Sequence, residues 1–184
     1  MKVQSILGQK ESNIQLPALE QNDSVIMGDQ DFQYLDYINS MNSTERRKLI
    51  RSLNLCKDYT SARILNELVL FESRSILQNK GQQVFVTPDN SRSHTNLHFC
   101  YYNSFITMNK GYRYVEGFVR RKESGYYIAH AWNSDYKGNH VDFTYSDPEK
   151  FDYFGVVVHK NTILKVAKKS KFNIYAVLPF VNYF

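Results

Sequence analysis

The spacing of apolar residues changes character near Gly111. Before it, apolar positions recur every three or four residues; after it, they alternate. From Asp29, Phe32, Leu35 and Ile38, with Tyr34 and Tyr37, follow the helical spacing. Asn42 stands three residues before Glu45, a capping-box start, and Leu49, Ile50 and Leu53 follow on one face. A longer helix is predicted over 60–79. Ile64, Leu65, Leu68, Phe71 and Ile76 form its buried stripe, and Lys80-Gly81 ends it. Residues 82–87 read as a short strand closed by Pro88-Asp89-Asn90. After a loop, a short helix is expected over 97–109, capped by Asn96 or Thr95, with Tyr102, Phe105 and Ile106 as its apolar face. Strands are then predicted over 112–120, 126–133, 139–144, 154–159 and 172–180, with a helical turn or two over 162–169. This order gives an α+β fold, a helical N-terminal half packed on an antiparallel sheet. Residues 1–28 are polar without a sustained period and read as a flexible arm. Residues 29–184 read as one domain, with a helical part over 29–81 and a core over 82–184.

Composition narrows the class. At 184 residues the chain can bury a core without disulfides or metals. Two cysteines, Cys56 and Cys100, exclude a disulfide scaffold and a four-cysteine zinc site. The 14 Tyr, 12 Phe and 1 Trp lie mostly after residue 98, so the aromatic half is also the strand-rich half. The net charge of +5 is scattered. Its two clusters, Arg46-Arg47-Lys48 and 165–171, read as solvated helix faces, too little for a nucleic-acid stripe. Residues 1–15 have no apolar signal core, and no run reaches the ~18 apolar residues of a membrane span. The expectation is a cytoplasmic protein with reduced cysteines, no membrane and no cofactor.

Three residues then combine. Cys100 falls in the first turn of the predicted helix, where free N–H groups and the helix dipole favour a thiolate and can hold an oxyanion. Alternation over 126–133 puts Ile128, His130 and Trp132 on one face. Over 139–144, His140, Asp142 and Thr144 share a face. A hairpin symmetric about Tyr136 sets Asp142 opposite His130, close enough for a carboxylate to accept from the imidazole and fix its tautomer. A one-residue slip would turn Asp142 away. Nucleophile, base and orienting carboxylate make the usual set for thiol acyl transfer.

Other residues carry secondary readings. Asn103 lies one turn after Cys100 and reads as helix support. Trp132 shares the His130 face and would shield the His–Asp bond, as a core residue or otherwise. Glu116-Gly117 reads as a buried, paired carboxylate beside a close backbone approach. His94 and His98 invite a metal with Cys100, but the fourth ligand is missing, so no metal is expected. His98 stays a candidate supporting residue with Asn103, Trp132 and Glu116. His140 reads as exposed beside the turn, and Cys56 as structural.

The segments His130-Ala131-Trp132 and Val141-Asp142-Phe143-Thr144-Tyr145 resemble the His-x-Trp and Asp-x-Thr segments of transglutaminase-like members of the papain-like fold. With Cys100-Tyr101-Tyr102-Asn103, Tyr114-Val115-Glu116-Gly117 and Tyr153-Phe154-Gly155-Val156, they also resemble a set of small bacterial and phage proteins sharing that order. The likeness covers about residues 96–158. It implies a papain-like core with Cys100 as nucleophile, His130 as general base and acid, and Asp142 as orienting group. The activity expected is cysteine-dependent amide acyl transfer on a protein or peptide-like substrate: protease, amidase or deamidase, with hydrolysis the default. If phage-encoded, it acts in host cytoplasm. The alternative is a non-catalytic module on the same fold that binds a host or defence protein.

Overall fold

The computed structural model describes residues 37–53, 59–88, 99–170 and 176–181. By its contacts the chain divides into two compact units, 1–68 and 69–184. The predicted arm 1–28, Cys56, His94 and His98 lie outside the described residues.

In the first unit, residues 37–40 are helical and α1 runs Ser43–Leu53. The capping box forms as the sequence requires. Glu45 N–H donates to Asn42 Oδ1 and Asn42 N–H donates to Glu45 Oε2, both at 3.0 Å. Leu49, Ile50 and Leu53 are buried, as their spacing predicts. Arg46 Nη1 donates back to the carbonyls of Ile38 and Met41. α2, Tyr59–Lys80, spans the division between the units. Ile64 and Leu68 are buried on it as expected; Val69 and Leu77 join them, while Leu65, Phe71 and Ile76 are only half-buried.

The second unit holds a six-stranded sheet: β1 Gln82–Val84, β2 Val86–Pro88, β3 Arg113–Arg121, β4 Tyr127–Ser134, β5 His140–Asp142 and β6 Phe151–Val158. Its spatial order is β1-β6-β3-β4-β5-β2. The predicted strand 82–87 is therefore two edge strands, at opposite ends of the sheet and separated by Phe85 alone. One residue spans at most ~3.6 Å, so the sheet must curl until its edges almost meet. β2 pairs with β5 in parallel; every other pairing is antiparallel.

One face of the sheet packs on helices. Tyr114, Ala131 and Val158 cluster with Leu77 of α2, Met108 of α3 (Cys100–Met108), Ile163 of α4 (Lys160–Lys169), and Val177 and Leu178. The other face gathers Val115, Val119, Trp132 and Tyr153. Trp132 is fully buried and needs the bare backbone of β6: a Cβ on Gly155 would stand 2.4 Å from its six-membered ring.

The predicted last strand is corrected over its described part, 176–180. Residues 171–175 lie outside the described residues, and Leu178–Phe180 form a 3-10 turn. Pro179 has no N–H for a ladder, and the N–H groups of Val177 and Leu178 go to the buried Glu116 carboxylate at 2.8–3.0 Å. Tyr114 hydroxyl donates to the same carboxylate, at 2.9 Å. Glu116 is thus the paired, buried carboxylate its sequence context suggests. Burial nonetheless outweighs these donors and pushes it up to about 7.

Two outcomes follow from this packing. Gly155→Ala drives a Cβ into Trp132 and should cost about 1–3 kcal/mol in urea unfolding. Glu116 binds its proton more tightly folded than unfolded, so stability should fall as pH rises from about 4.5 through about 7. Glu116→Gln, which keeps an acceptor for both N–H groups, should flatten that decline; an unchanged pH slope would show that another group sets it.

Candidate active site

Cys100 is the first residue of α3, three positions later in the helix than the expected start. Its N-cap is Phe99, which makes no side-chain cap bond; Asn96 and Thr95, the expected caps, lie outside the described residues. The first helical bond runs from Asn103 N–H to Phe99 C=O at 2.8 Å, so the N–H groups of residues 100–102 are not used within the helix.

The buried face also differs from the expected one. Tyr102 is 48% exposed, while Cys100, Asn103, Ser104 and Thr107 are buried. The helix turns a small, polar stripe to the sheet because it has hydrogen-bond partners there. Asn133 Nδ2 donates to Ser104 C=O at 3.0 Å, and Asn103 Nδ2 donates to Thr144 Oγ1 at 3.2 Å. Asn103 is therefore a support that ties α3 to the segment after β5.

The hairpin brings His130 and Asp142 together by a register other than the expected one. Asn133 pairs with Val141 and Ser134 with His140, so the hairpin is centred on Lys137 rather than Tyr136. Asp135 sets this register. Its Oδ1 accepts from Lys137 N–H at 2.8 Å and Asn139 N–H at 2.9 Å, and Gly138 takes φ 88°. Continuing the register puts Asp142 opposite Trp132. The shift is two residues, so the face is kept and Asp142 reaches His130 on the diagonal. His130 Nε2 lies 2.7 Å from Asp142 Oδ2.

Asp142 accepts four hydrogen bonds. Oδ1 takes the N–H groups of Thr144 (2.7 Å) and Tyr145 (3.2 Å). Oδ2 takes His130 and the Tyr153 hydroxyl, the latter at 2.8 Å. Burial opposes its charge, yet His130 and these donors hold the carboxyl below its usual range. The other imidazole nitrogen is left free of Asp142, and Cys100 lies close enough to His130 to raise its pKa. Burial alone would lower His130. The Asp142 charge, then that of Cys100, overcome it and push the imidazole up to about 10.

Aromatic rings enclose the imidazole. Tyr145 stacks on it at 4.6 Å between centroids, Trp132 lies at 6.1 Å, and Tyr153 approaches at 6.1 Å with planes 63° apart. Trp132 does line the His130 face, and its indole N–H donates to His140 Nδ1 at 3.0 Å. His140 is thereby corrected from an exposed residue to a half-buried acceptor, its pKa lowered by burial, and it does not compete for Asp142.

Tyr153 and Tyr145 stand in the segments that carry the resemblance, but sequence reasoning assigns neither a role at the site. With β6 expected to begin at Phe154, Tyr153 fell outside the strand. In the observed strand it faces Val119, on the His130 side. Among the described residues no cluster of three or more His, Cys, Asp or Glu could hold a metal, and no helix is long and apolar enough to cross a membrane. Compared with protein-family models, with curated proteins and with solved structures, the chain gives no match.

The His130 proton is the measurable consequence. In the folded protein it should be retained until about pH 10. Its stabilising contribution is then complete below about 6.5 and lost as pH rises to about 10. Asp142→Asn removes the largest raising influence and leaves burial, so the His130 titration read by NMR should fall by several units. A wild-type midpoint at 6.5 would contradict the ion pair.

Proposed function

We propose that the chain is a cysteine-dependent acyl-transfer enzyme acting on amide bonds through Cys100, His130 and Asp142. The observation that supports this most directly is the imidazole of His130, 2.7 Å from a four-fold hydrogen-bonded carboxylate and within electrostatic reach of a helix-start thiol. Solvent exposure has the same polarity. Cys100 is 9% exposed, His130 and Asp142 1% each, so the nucleophile is the member of the set nearest water.

The chemistry runs as follows. Cys100 sulfur attacks the amide carbon, and the carbonyl oxygen gathers charge beside the N–H groups at the start of α3 that the helix itself does not take up. His130 gives its proton to the departing amine nitrogen as the C–N bond breaks, leaving a thioester. Water attacks the thioester, His130 takes its proton, and the carboxylic acid leaves as the thiol is restored. Asp142, already accepting four bonds, takes no proton; it holds the imidazole in orientation and steadies its charge. With water as acceptor the products are those of a protease, amidase or deamidase, and a lysine amine in its place gives transamidation. We favour hydrolysis, since water needs no second binding site, and a protein or peptide-like substrate on a papain-like core.

A second reading rests on exposed aromatics. Phe85 is 95% exposed and Tyr136 75%, as on a surface that binds a protein partner without chemistry.

Thiol reactivity separates the two. At neutral pH Cys100 should alkylate with iodoacetamide faster than a free cysteine, and His130→Ala should abolish the difference. In a mixed peptide pool followed by mass spectrometry, Cys100→Ala should remove cleavage or deamidation, and His130→Ala should reduce it roughly 10²–10⁴-fold. Undiminished turnover in Cys100→Ala would overturn the assignment; ordinary thiol reactivity would favour the binding module.

A further inference from the structure

Tyr145 stands three residues after Asp142, and the mechanism above makes no use of its side chain. It is attached to both members of the His–Asp pair. Its backbone N–H donates to Asp142 Oδ1 at 3.2 Å. Its ring lies over the His130 imidazole, centroids 4.6 Å apart and planes 21° apart. Phe151 stacks on Tyr145 in turn, at 4.5 Å and 13°, so the three rings form one pile. A protonated imidazole on an aromatic face is held by the ring's negative face as well as by contact area.

We propose that Tyr145 is a positioning residue for the reaction assigned above, its ring holding the protonated imidazole in the one plane that keeps a nitrogen on Asp142 and the other toward Cys100. The inference rests on that reading for its purpose, though not for its geometry. Rotation of the imidazole about its bond to Cβ would break the hydrogen bond to Asp142 and swing the other nitrogen away from Cys100, and the flat face of Tyr145 opposes that rotation. Each element around His130 places a group near it. Asp142 comes from β5, Cys100 from α3, Trp132 from β4 and Tyr153 from β6, and Tyr145 itself lies between β5 and β6. Burial, then the Cys100 charge, raise the Tyr145 hydroxyl, while Arg121 opposes them. The hydroxyl therefore stays protonated and adds no negative charge of its own.

The full chain tests this with three variants. Tyr145→Phe keeps the aromatic face. Tyr145→Leu and Tyr145→Met keep apolar cover without it. Two quantities are read: the NMR titration of His130 and the pH profile of Cys100 alkylation by iodoacetamide. Tyr145→Phe should match the wild type in both. Tyr145→Leu should lower the His130 midpoint by about one unit, and the alkylation profile should move with it. If the leucine variant fails to fold, judged by circular dichroism, the unbranched methionine variant gives the same comparison. Wild-type titration in a folded leucine or methionine variant overturns the proposal, and so does a phenylalanine variant that titrates like leucine. The His130 midpoint is read without turnover. A shifted midpoint beside ordinary Cys100 reactivity would therefore sink the enzymatic reading while leaving the positioning role intact.

Discussion

The Asp142 carboxylate is the fixed point of the aromatic half of the molecule. A charge buried to 1% exposure is costly unless its lone pairs are taken up, and here four donors take them up. Those donors come from three places in the chain: the turn after β5, β4 and β6. Satisfying one carboxylate therefore draws three segments together. It fixes where β5 ends, it turns the chain back at Thr144 and Tyr145, and it holds the His130 ring. Thr144, turned this way, accepts from Asn103, which anchors the first turn of α3 and so the position of Cys100. Asp142 thus bears on the thiol's place as well, through Thr144 and Asn103.

Much of this was legible in the sequence because it depends on period rather than on register. The helices around Leu49 and Leu68, the strands around Val115 and Ala129, and the His130 face all follow from spacing alone. The capping box of Asn42 and Glu45 is a local hydrogen-bond pattern and needed no tertiary context. The pairing of His130 with Asp142 survived a wrong hairpin centre because the true shift was even. Alternation preserves the face under a two-residue shift, and a diagonal neighbour is still within reach of an imidazole and a carboxylate.

What was not legible depends on long-range closure. Residues 82–87 read as one strand, since nothing local says that the chain leaves one edge of a sheet and joins the other. The break at Phe85 exists because β5 and β6 wait on opposite sides. The face of α3 was misjudged for a related reason. Of the expected face Tyr102 is exposed and Phe105 only half-buried, while the helix buries Asn103, Ser104 and Thr107 beside Met108, with hydrogen bonds to Thr144 and from Asn133. Composition predicts burial only where the receiving surface is apolar. At Val177 and Leu178 no ladder forms because Glu116, sixty residues earlier, takes the N–H groups that one would have used.

Glu116 and Asp142 make a comparison that isolates the electrostatics of the site. Both are carboxylates at 1% exposure. Burial is the largest influence on each, yet one is raised to about 7 and the other held below its usual range. The number of hydrogen bonds does not separate them well, since Glu116 also accepts from two backbone N–H groups and a tyrosine. The difference is the nature of one donor. Every partner of Glu116 is neutral, and neutral donors soften desolvation without cancelling a charge. Asp142 has His130, which takes a full positive charge and returns the stabilisation to the carboxylate that favours it. Two equally buried acids thus take opposite roles: Glu116 ties down the turn at Leu178, while Asp142 keeps a charged imidazole beside a thiol. A sheet that needed only a structural acid would have had no reason to set a histidine against it.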